Sequence, residues 1–518
     1  MKANHLFWKF VYHLVIKENA RIIDASPDKK RIWLEHENNG QKQAIRVARV
    51  EHDWMREIEE DQSKAIQSMK RIKRMIPSRN LVFYNIYVST FPPVDLYDRM
   101  SLMENKENTP IQHFFVAEDP VRDVTDLPEE VLKQLGTKWS WEEIEENITD
   151  DGHEQYESFY RRETKRKQES LEDRDRSLLL YGKTRITYLL LMFIALMFFL
   201  IEQAGGSTDI LTLIEYGAKY NPAILDGEWW RFFTSMFLHI GFFHLFMNSL
   251  ALFYLGTAVE RMYGSLRFIF IYFIAGLFGS LASFAFNEQV SAGASGAIFG
   301  CFGALLYFGL IHRQLFFRTM GFNVIFILAI NLAFGFAVPA VDNGAHIGGL
   351  VGGFLASAIV HLPRHKLNRR QAFILPFTFV LAAGMFGLGI TNDNKSDSPL
   401  LDLQIAQELL QENETEEAED ILLGILENQE HAQARFLLGN ALIQKGNTEE
   451  ALVQFQKAVT LDEEFPEAYY NLTILYLELG RVEEAQESFR KVKQTSDPRT
   501  AEQLDMERLE TLLREKSE

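Results

Sequence analysis

The segment Gly293-Ala294-Ser295-Gly296 sets one hydroxyl among small residues, and an apolar run of membrane length follows directly. A serine hydroxyl is a weak nucleophile until a base takes its proton. A base is therefore needed at the same depth. Few polar side chains lie in the surrounding apolar block: His239, His244, Asn248, Ser249, Ser295, Asn331 and His346. His346 stands in "GAHIGGLVGG", where Ala345, Gly349 and Gly353 recur every four residues on one helix face. Gly296 and Gly300 repeat the spacing beside Ser295. Two small-residue faces let helix backbones approach closely in lipid, which would bring Ser295 Oγ to an imidazole nitrogen of His346. Such a pair performs acyl transfer through a serine ester. His244 and Asn248, at i and i+4 in "HLFMN", share a face. Both can donate to an oxyanion, as can the backbone N–H of Ser295.

Other membrane-protease chemistries lack their residues. Neither H-E-x-x-H nor G-x-G-D occurs in the chain. His239 and His244 are five apart and would leave a helix on different faces, which argues against zinc. Cys301 is the single cysteine, so no intrachain disulfide and no cysteine-based zinc site forms, and it reads as a small core residue. No metal and no cofactor is called for.

The elements that must hold these residues are membrane helices. Seven stretches, about 186–201, 243–259, 266–286, 295–312, 322–338, 342–361 and 371–390, are apolar enough to span a bilayer. Lys and Arg gather before the first stretch and between stretches 2 and 3, 4 and 5, and 6 and 7, the last loop reading "PRHKLNRR". The loops "NEQVSAGA" and "PAVDN" carry neither, and the long loop after the first stretch has only Lys219 and Arg231. The positive-inside rule then puts the N-terminus in the cytoplasm and the C-terminus outside, with Ser295 and His346 near the outer face. The apolar start "LFWKFVYHLVIK" is short and interrupted by Lys9 and His13, unlike a secretory signal.

Five motifs in order resemble the rhomboid intramembrane serine proteases over about residues 184–390. They are "GEWWRFFTSMFLH" with Trp230 and Arg231; "HLFMN"; Gly256, Glu260 and Gly264 in "GTAVERMYG"; "GASG" with Gly293, Ser295 and Gly296; and "AHIGGLVGG" with His346, Gly349 and Gly353. The resemblance implies a catalytic Ser295–His346 dyad without an aspartate. It assigns His244 and Asn248 to the oxyanion, and loop and helix-end anchoring to Arg231 and Glu260. Many rhomboids carry a tyrosine one turn after the serine; here the position is Phe299, whose ring can wall the imidazole without offering a hydroxyl. Substrates would be transmembrane proteins cut near the outer face. A non-catalytic rhomboid-like scaffold would typically lack the Ser or the His, and a transporter would want charged or unwound mid-membrane sites.

The C-terminal block repeats with a 34-residue period: Ala434/Ala468, Leu438/Leu472, Gly446/Gly480, Ala451/Ala485 and Phe455/Phe489 coincide. This resembles the tetratricopeptide repeat, whose concave face takes protein partners. A degenerate first unit, "LQIAQELLQENETEEAEDILLGIL", fits with a one-residue slip. Residues 391–518 hold 12 Lys and Arg against 29 Asp and Glu, a net of −17 beside −18 for the whole chain. No basic face marks the chain as a nucleic-acid binder. At the other end "KQAIRVARV" and "NLVFYNIYVST" read as strands, with a helix from "DWMREIEEDQSKAIQSMKRIKRMI" between them. The charged helix "ESFYRRETKRKQESLEDRDRS" leads to the membrane, where its basic residues can meet anionic lipids.

The expected architecture is mainly α. A seven-helix membrane bundle, a rhomboid-like six-helix core plus one, lies between an N-terminal α+β soluble domain and a C-terminal α-solenoid. The divisions are a cytoplasmic domain 1–165, a juxtamembrane segment 166–185, the membrane domain 186–390, a linker 391–399 and repeats 400–518, in a bacterial cell membrane. The linker makes the repeats a separable module that gathers substrates and is dispensable for the chemistry.

Overall fold

The computed structural model describes the chain apart from residues 1, 52–53, 77, 79, 96–110, 118–125, 127, 139–152, 340, 364–372, 393–397, 498–499, 501–503 and 518. Residues 364–370 of the basic loop and the middle of the linker 391–399 thus lie outside the described residues. Two compact bodies form, one from residues 1–181 with 308–325 and one from 182–307 with 326–518.

In the first body, α1 (Lys2–Tyr12) precedes the strands β1 (Arg21–Ala25), β2 (Arg31–Asn38) and β3 (Gln41–Arg49). Then come α2 (Met55–Met75), β4 (Val82–Ser89), β5 (Ile111–Ala117), α3 (Pro128–Leu135) and α4 (His153–Leu179). The sheet runs in sequence order, antiparallel across β1–β3 and parallel across β3–β5. Asn39 and Gly40, at φ 48° and 82°, make the two-residue hairpin that needs positive φ at both positions. The parallel step from β3 to β4 needs a crossover, and α2 supplies it. Alternation along β3 sends Ile45 and Val47 to the core shared with α1, while Ala44 faces the core that includes Ala65 and Ile72 of α2. Asp61 on α2 pairs with Arg46 at 2.7 Å and Arg31 at 3.0 Å and accepts from Tyr87 at 3.1 Å, so a buried carboxylate meets its charge on site. One helix, α4, continues unbroken through residue 165, with Tyr160 buried in the α1 core. Near its end Asp175 holds Arg21 at 2.5 Å and Arg318, on the short helix Arg313–Thr319, at 2.6 Å.

Each of the seven apolar stretches is a helix, and all lie in the second body apart from residues 308–311 and 321–325, which group with the first. They are α5 (Ile186–Ala204), α7 (Gly241–Tyr263), α8 (Ser265–Phe286), α9 (Ser295–Ile311), α10 (Gly321–Ala337), α11 (Asn343–Val360) and α12 (Ile374–Thr391). The short α6 (Ile210–Glu215) lies in the loop between α5 and α7. Five of the seven pass as full spans; α10 joins the helix before it at a 75° bend, and α9 has 17 residues. At 1.5 Å per residue α9 is about 26 Å long, slightly short of the hydrocarbon core. Helix α8 is the central one: Gly276, Gly279, Ala282, Ser283 and Ala285 are all buried.

The repeats form three helix pairs: α13 (Pro399–Gln411) with α14 (Thr415–Asn428), α15 (Ala432–Gln444) with α16 (Thr448–Leu461), and α17 (Pro466–Glu478) with α18 (Val482–Thr495). Helix α19 (Met506–Ser517) follows. Each paired position of the 34-residue repeat except the turn glycines is buried. Gly446 and Gly480 turn their pairs at φ 81° and 71°, and Asn413, at φ 66°, does so in the first pair. Asparagine is among the few side chains that tolerate this region. That substitution, one residue out of register, is the slip seen in the sequence.

Candidate active site

Ser295 is the first residue of α9, and His346 lies in the first turn of α11. Helix α11 starts where it does because Asp342 caps it: Oδ1 accepts from Ala345 N at 2.9 Å, and Oδ2 accepts from Ser283 Oγ of α8. Asp342 thus spends one oxygen on the helix end, one turn before the histidine, and the other on α8.

The two helices meet backbone to backbone. A Cβ placed on Gly349 would lie 1.9 Å from Gly296 O, and one on Gly353 would lie 2.2 Å from Gly300 O. Helix α8 enters the same crossing, since a Cβ on Gly279 would stand 2.9 Å from Ala345 O and 3.2 Å from Gly296 Cα. No side chain fits between these three helices at the level of Ser295 and His346. Phe299 stacks flat on the His346 ring, centroids 4.1 Å apart at 9°. The imidazole is walled on that face, and its Nδ1 is buried with no hydrogen-bond partner among the described residues.

The segment before Ser295 is tied down at each step. Gly293 donates to Ser235 O at 2.9 Å and Ala294 donates to His239 Nε2 at 3.4 Å. Gly293 sits at φ 151°, and a Cβ there would reach His244 Cε1 at 2.9 Å, so the imidazole of His244 lies beside the residue two before the serine. The His239 and His244 rings are 5.3 Å apart. Asn248 Nδ2 donates to His244 O at 3.0 Å, within its own helix. A cavity of about 20 Å³, lined by Ser295, Gly293, Ser235, Ser280 and Lys219 among others, has room for about one water molecule.

The anchors are well defined. Arg231 pairs with Glu228 at 2.5 Å, donates to Ile214 O and Ala218 O at 2.6 and 3.1 Å, and lies 4.7 Å over the Trp230 ring. Glu260 accepts from the N–H groups of Arg185, Ile186 and Thr187, each at 2.9 Å, and from the hydroxyls of Thr187 and Ser265. It caps α5 from the end of α7, satisfying donors that a helix start leaves open. Cys301 is wholly buried.

Three residues near the serine went unread in the sequence. Ser235 and Ser280 face each other at 3.3 Å across the cavity, and Lys219 is buried in a loop position. A signal existed for Lys219: it is one of two basic residues in a loop where the charge rule expects few. It counted there only as a charge.

Comparison with known proteins agrees with this geometry. The family model for the rhomboid domain matches residues 226–363, and models for tetratricopeptide repeats match residues 439–480 and 466–496. The chain is 36% identical to rhomboid protease GluP of Bacillus subtilis over 483 residues, 92% of each chain. It is 41% identical to RHOMBOID-like protein 2 of Arabidopsis thaliana over 195 residues, 35% of this chain and 61% of that one. The match to RHOMBOID-like protein 1 of the same plant is 42% over 149 residues, 28% of this chain and 38% of the other. With a bacterial rhomboid protease aligned along nearly its whole length, soluble ends included, this multi-pass membrane chain belongs to the rhomboid family of intramembrane serine proteases.

Proposed function

We propose that the protein hydrolyses peptide bonds of transmembrane or membrane-tethered proteins near the outer membrane face, with Ser295 as nucleophile and His346 as base. The observation that carries this reading is the glycine crossing of α9 and α11, which puts both residues at one level with Phe299 against the imidazole. Since Nδ1 is buried, Nε2 is the nitrogen left to meet the serine. Ser295 Oγ attacks the scissile carbonyl carbon as its proton passes to His346. The oxyanion is met by the Ser295 N–H and by His244 and Asn248; Asn248 Nδ2 carries a second N–H beside the one it gives to His244 O. The C–N bond breaks as His346 returns the proton to the leaving amine. Water attacks the ester, gives a proton to His346, and the serine is regenerated. No step calls for a metal or a cofactor.

The N-terminus faces the cytoplasm and the C-terminus the outside, and the basic residues of α4 rest on anionic lipid. The repeats recruit substrates or protein partners on their concave face. In reconstituted vesicles the wild-type protein cuts a model transmembrane helix, whereas Ser295→Ala and His346→Ala do not. Protease added to intact cells digests the repeats. Digestion only after lysis would place them inside and overturn the seven-span orientation.

A further inference from the structure

The loop between α5 and α7 and the repeat stack are far apart in sequence and in contact in space. Glu408 on α13 accepts from Ile210 N at 2.9 Å and Leu211 N at 3.0 Å on one carboxylate oxygen. Ile210, Leu211, Ile214 and Tyr220 pack against the apolar core of the stack, and so does Val290, from the segment joining α8 to α9. A carboxyl group placed on two backbone donors and beside Asp209, with apolar side chains packed on the stack next to it, is a fitted joint. The separable module expected from the linker is revised accordingly: the first repeat covers an apolar surface that the membrane domain would otherwise expose.

The joint leads on to the nucleophile. Past α6, Lys219 is 1% exposed and exchanges both backbone hydrogen bonds with Ser291, at 2.9 and 3.0 Å. Its ammonium donates to Asn287 O at 2.8 Å and Gln289 O at 2.9 Å, and Asn221 Nδ2 donates to Asn287 O at 3.1 Å. Ser295 follows this segment directly. Charge-assisted hydrogen bonds are the strong ones, and a buried charge deprived of its partners is costly. Displacing the segment would therefore take from the ammonium its two carbonyl acceptors, Asn287 O and Gln289 O.

We propose that the repeat stack is part of the machinery that positions the nucleophile, with Glu408 pinning the first loop and Lys219 pinning the segment that delivers Ser295. The inference rests on the reading of Ser295 as nucleophile. Neither residue touches substrate, and both act through the backbone they hold.

The test uses the full chain in detergent as wild type, Glu408→Ala and Glu408→Gln. It reads the rate of fluorophosphonate labelling at Ser295, kcat and KM for a model helix without soluble domains, and hydrogen exchange at residues 205–225 and 287–294. A 1 Å misplacement at a reacting group can cost about a hundredfold; for Glu408→Ala we expect at least about a tenfold fall in labelling and kcat on that scale, with KM nearly unchanged. Exchange should rise in both segments and stay as in wild type across 432–495. Glu408→Gln keeps a carbonyl oxygen for the two N–H groups and should restore the rates. If Glu408→Ala loses protection throughout the stack, the double variant Ile210→Ala with Leu211→Ala trims the same joint from the other side and should give the same result. Labelling at the wild-type rate overturns the proposal, as does exchange that rises at 205–225 but not at 287–294. A wild-type protein that takes no label at Ser295 would instead remove the nucleophile reading, while the exchange experiment still judges the joint.

Discussion

The crossing of α9 and α11 and the stack of repeats are both helix packing, built by opposite means. In the stack, Leu438, Phe455, Leu472 and Phe489 fill the space between helices, and the small residues Ala434, Ala451, Ala468 and Ala485 set the spacing. In the membrane block the contact is made by missing side chains, with Gly296, Gly300, Gly349 and Gly353 backbone to backbone. Water drives the first, because burying Leu and Phe removes apolar surface from it. Lipid offers no such drive, so close backbone approach and van der Waals contact take its place. A packing made of absences has no room to adjust, which suits a site that must hold two residues in fixed register. A packing made of side chains tolerates drift, which suits a binding surface.

The sharpest way to break this comparison is to add one methyl group to each region. In Gly349→Ala the new Cβ has nowhere to go, and model-substrate cleavage should fall by about a hundredfold or more. In Gly424→Ala, on α14, the Cβ meets nothing within 4 Å. There the repeats should gain up to about 1 kcal/mol in helix propensity, read as a higher unfolding midpoint. Cleavage by Gly349→Ala at the wild-type rate would show that the crossing has slack.

Removing a side chain reverses the roles. Phe489→Ala in the last pair should cost about 3–5 kcal/mol of local stability. A stack couples mainly to nearest neighbours, so hydrogen exchange should rise across α17–α19 and remain low at α13. Model-substrate cleavage should stay near wild type. A general loss of protection would mean that the stack unfolds as one unit.

The first body gives a smaller contrast, because it buries polar groups. Burial holds His13 and His113 near pKa 4, below their ordinary 6.5. Their neutral forms are the ones that fit, whereas the unfolded chain takes up protons near pH 6.5. Stability is therefore fully present above about pH 6.5 and is lost as pH falls toward 4, by something under about 1 kcal/mol per histidine at pH 6. Thermal unfolding of the protein at pH 7.5 and pH 6 should show this body melting earlier in acid. An unchanged midpoint would mean that both rings accept protons in place.

What could be read in advance follows the same division. Membrane helices, glycine faces and a 34-residue period are local or periodic patterns, so α5, α7–α12 and α13–α18 were legible residue by residue. In the first body α2, β3 and β4 were legible, because helical periodicity and apolar alternation are local too. β1, β2 and β5 were not picked out: "RIWLEHEN" interleaves charge with residues that turn out buried on both faces of the sheet. The division at residue 165 falls inside α4, which runs across it as one helix. The joint at Glu408 was out of reach for a different reason. Its partners are backbone N–H groups of Ile210 and Leu211, which leave no trace in side-chain pattern, and nearly two hundred residues separate them from the carboxylate. In the same way, only the bonds from Ala345 N and Ser283 Oγ show where the oxygens of Asp342, four residues before His346, go.

The central claim is that Ser295 is a nucleophile made reactive by His346, and peptide mapping of a fluorophosphonate adduct on the purified protein tests it most directly. The account predicts phosphonate mass on the peptide carrying Ser295 in the wild type. It predicts none on Ser295→Ala, and a loss of at least about a thousandfold in labelling rate in a folded His346→Ala, the scale set by removing an activating base. Label on Ser295 at an undiminished rate without His346, or substrate cleavage by Ser295→Ala, would contradict it.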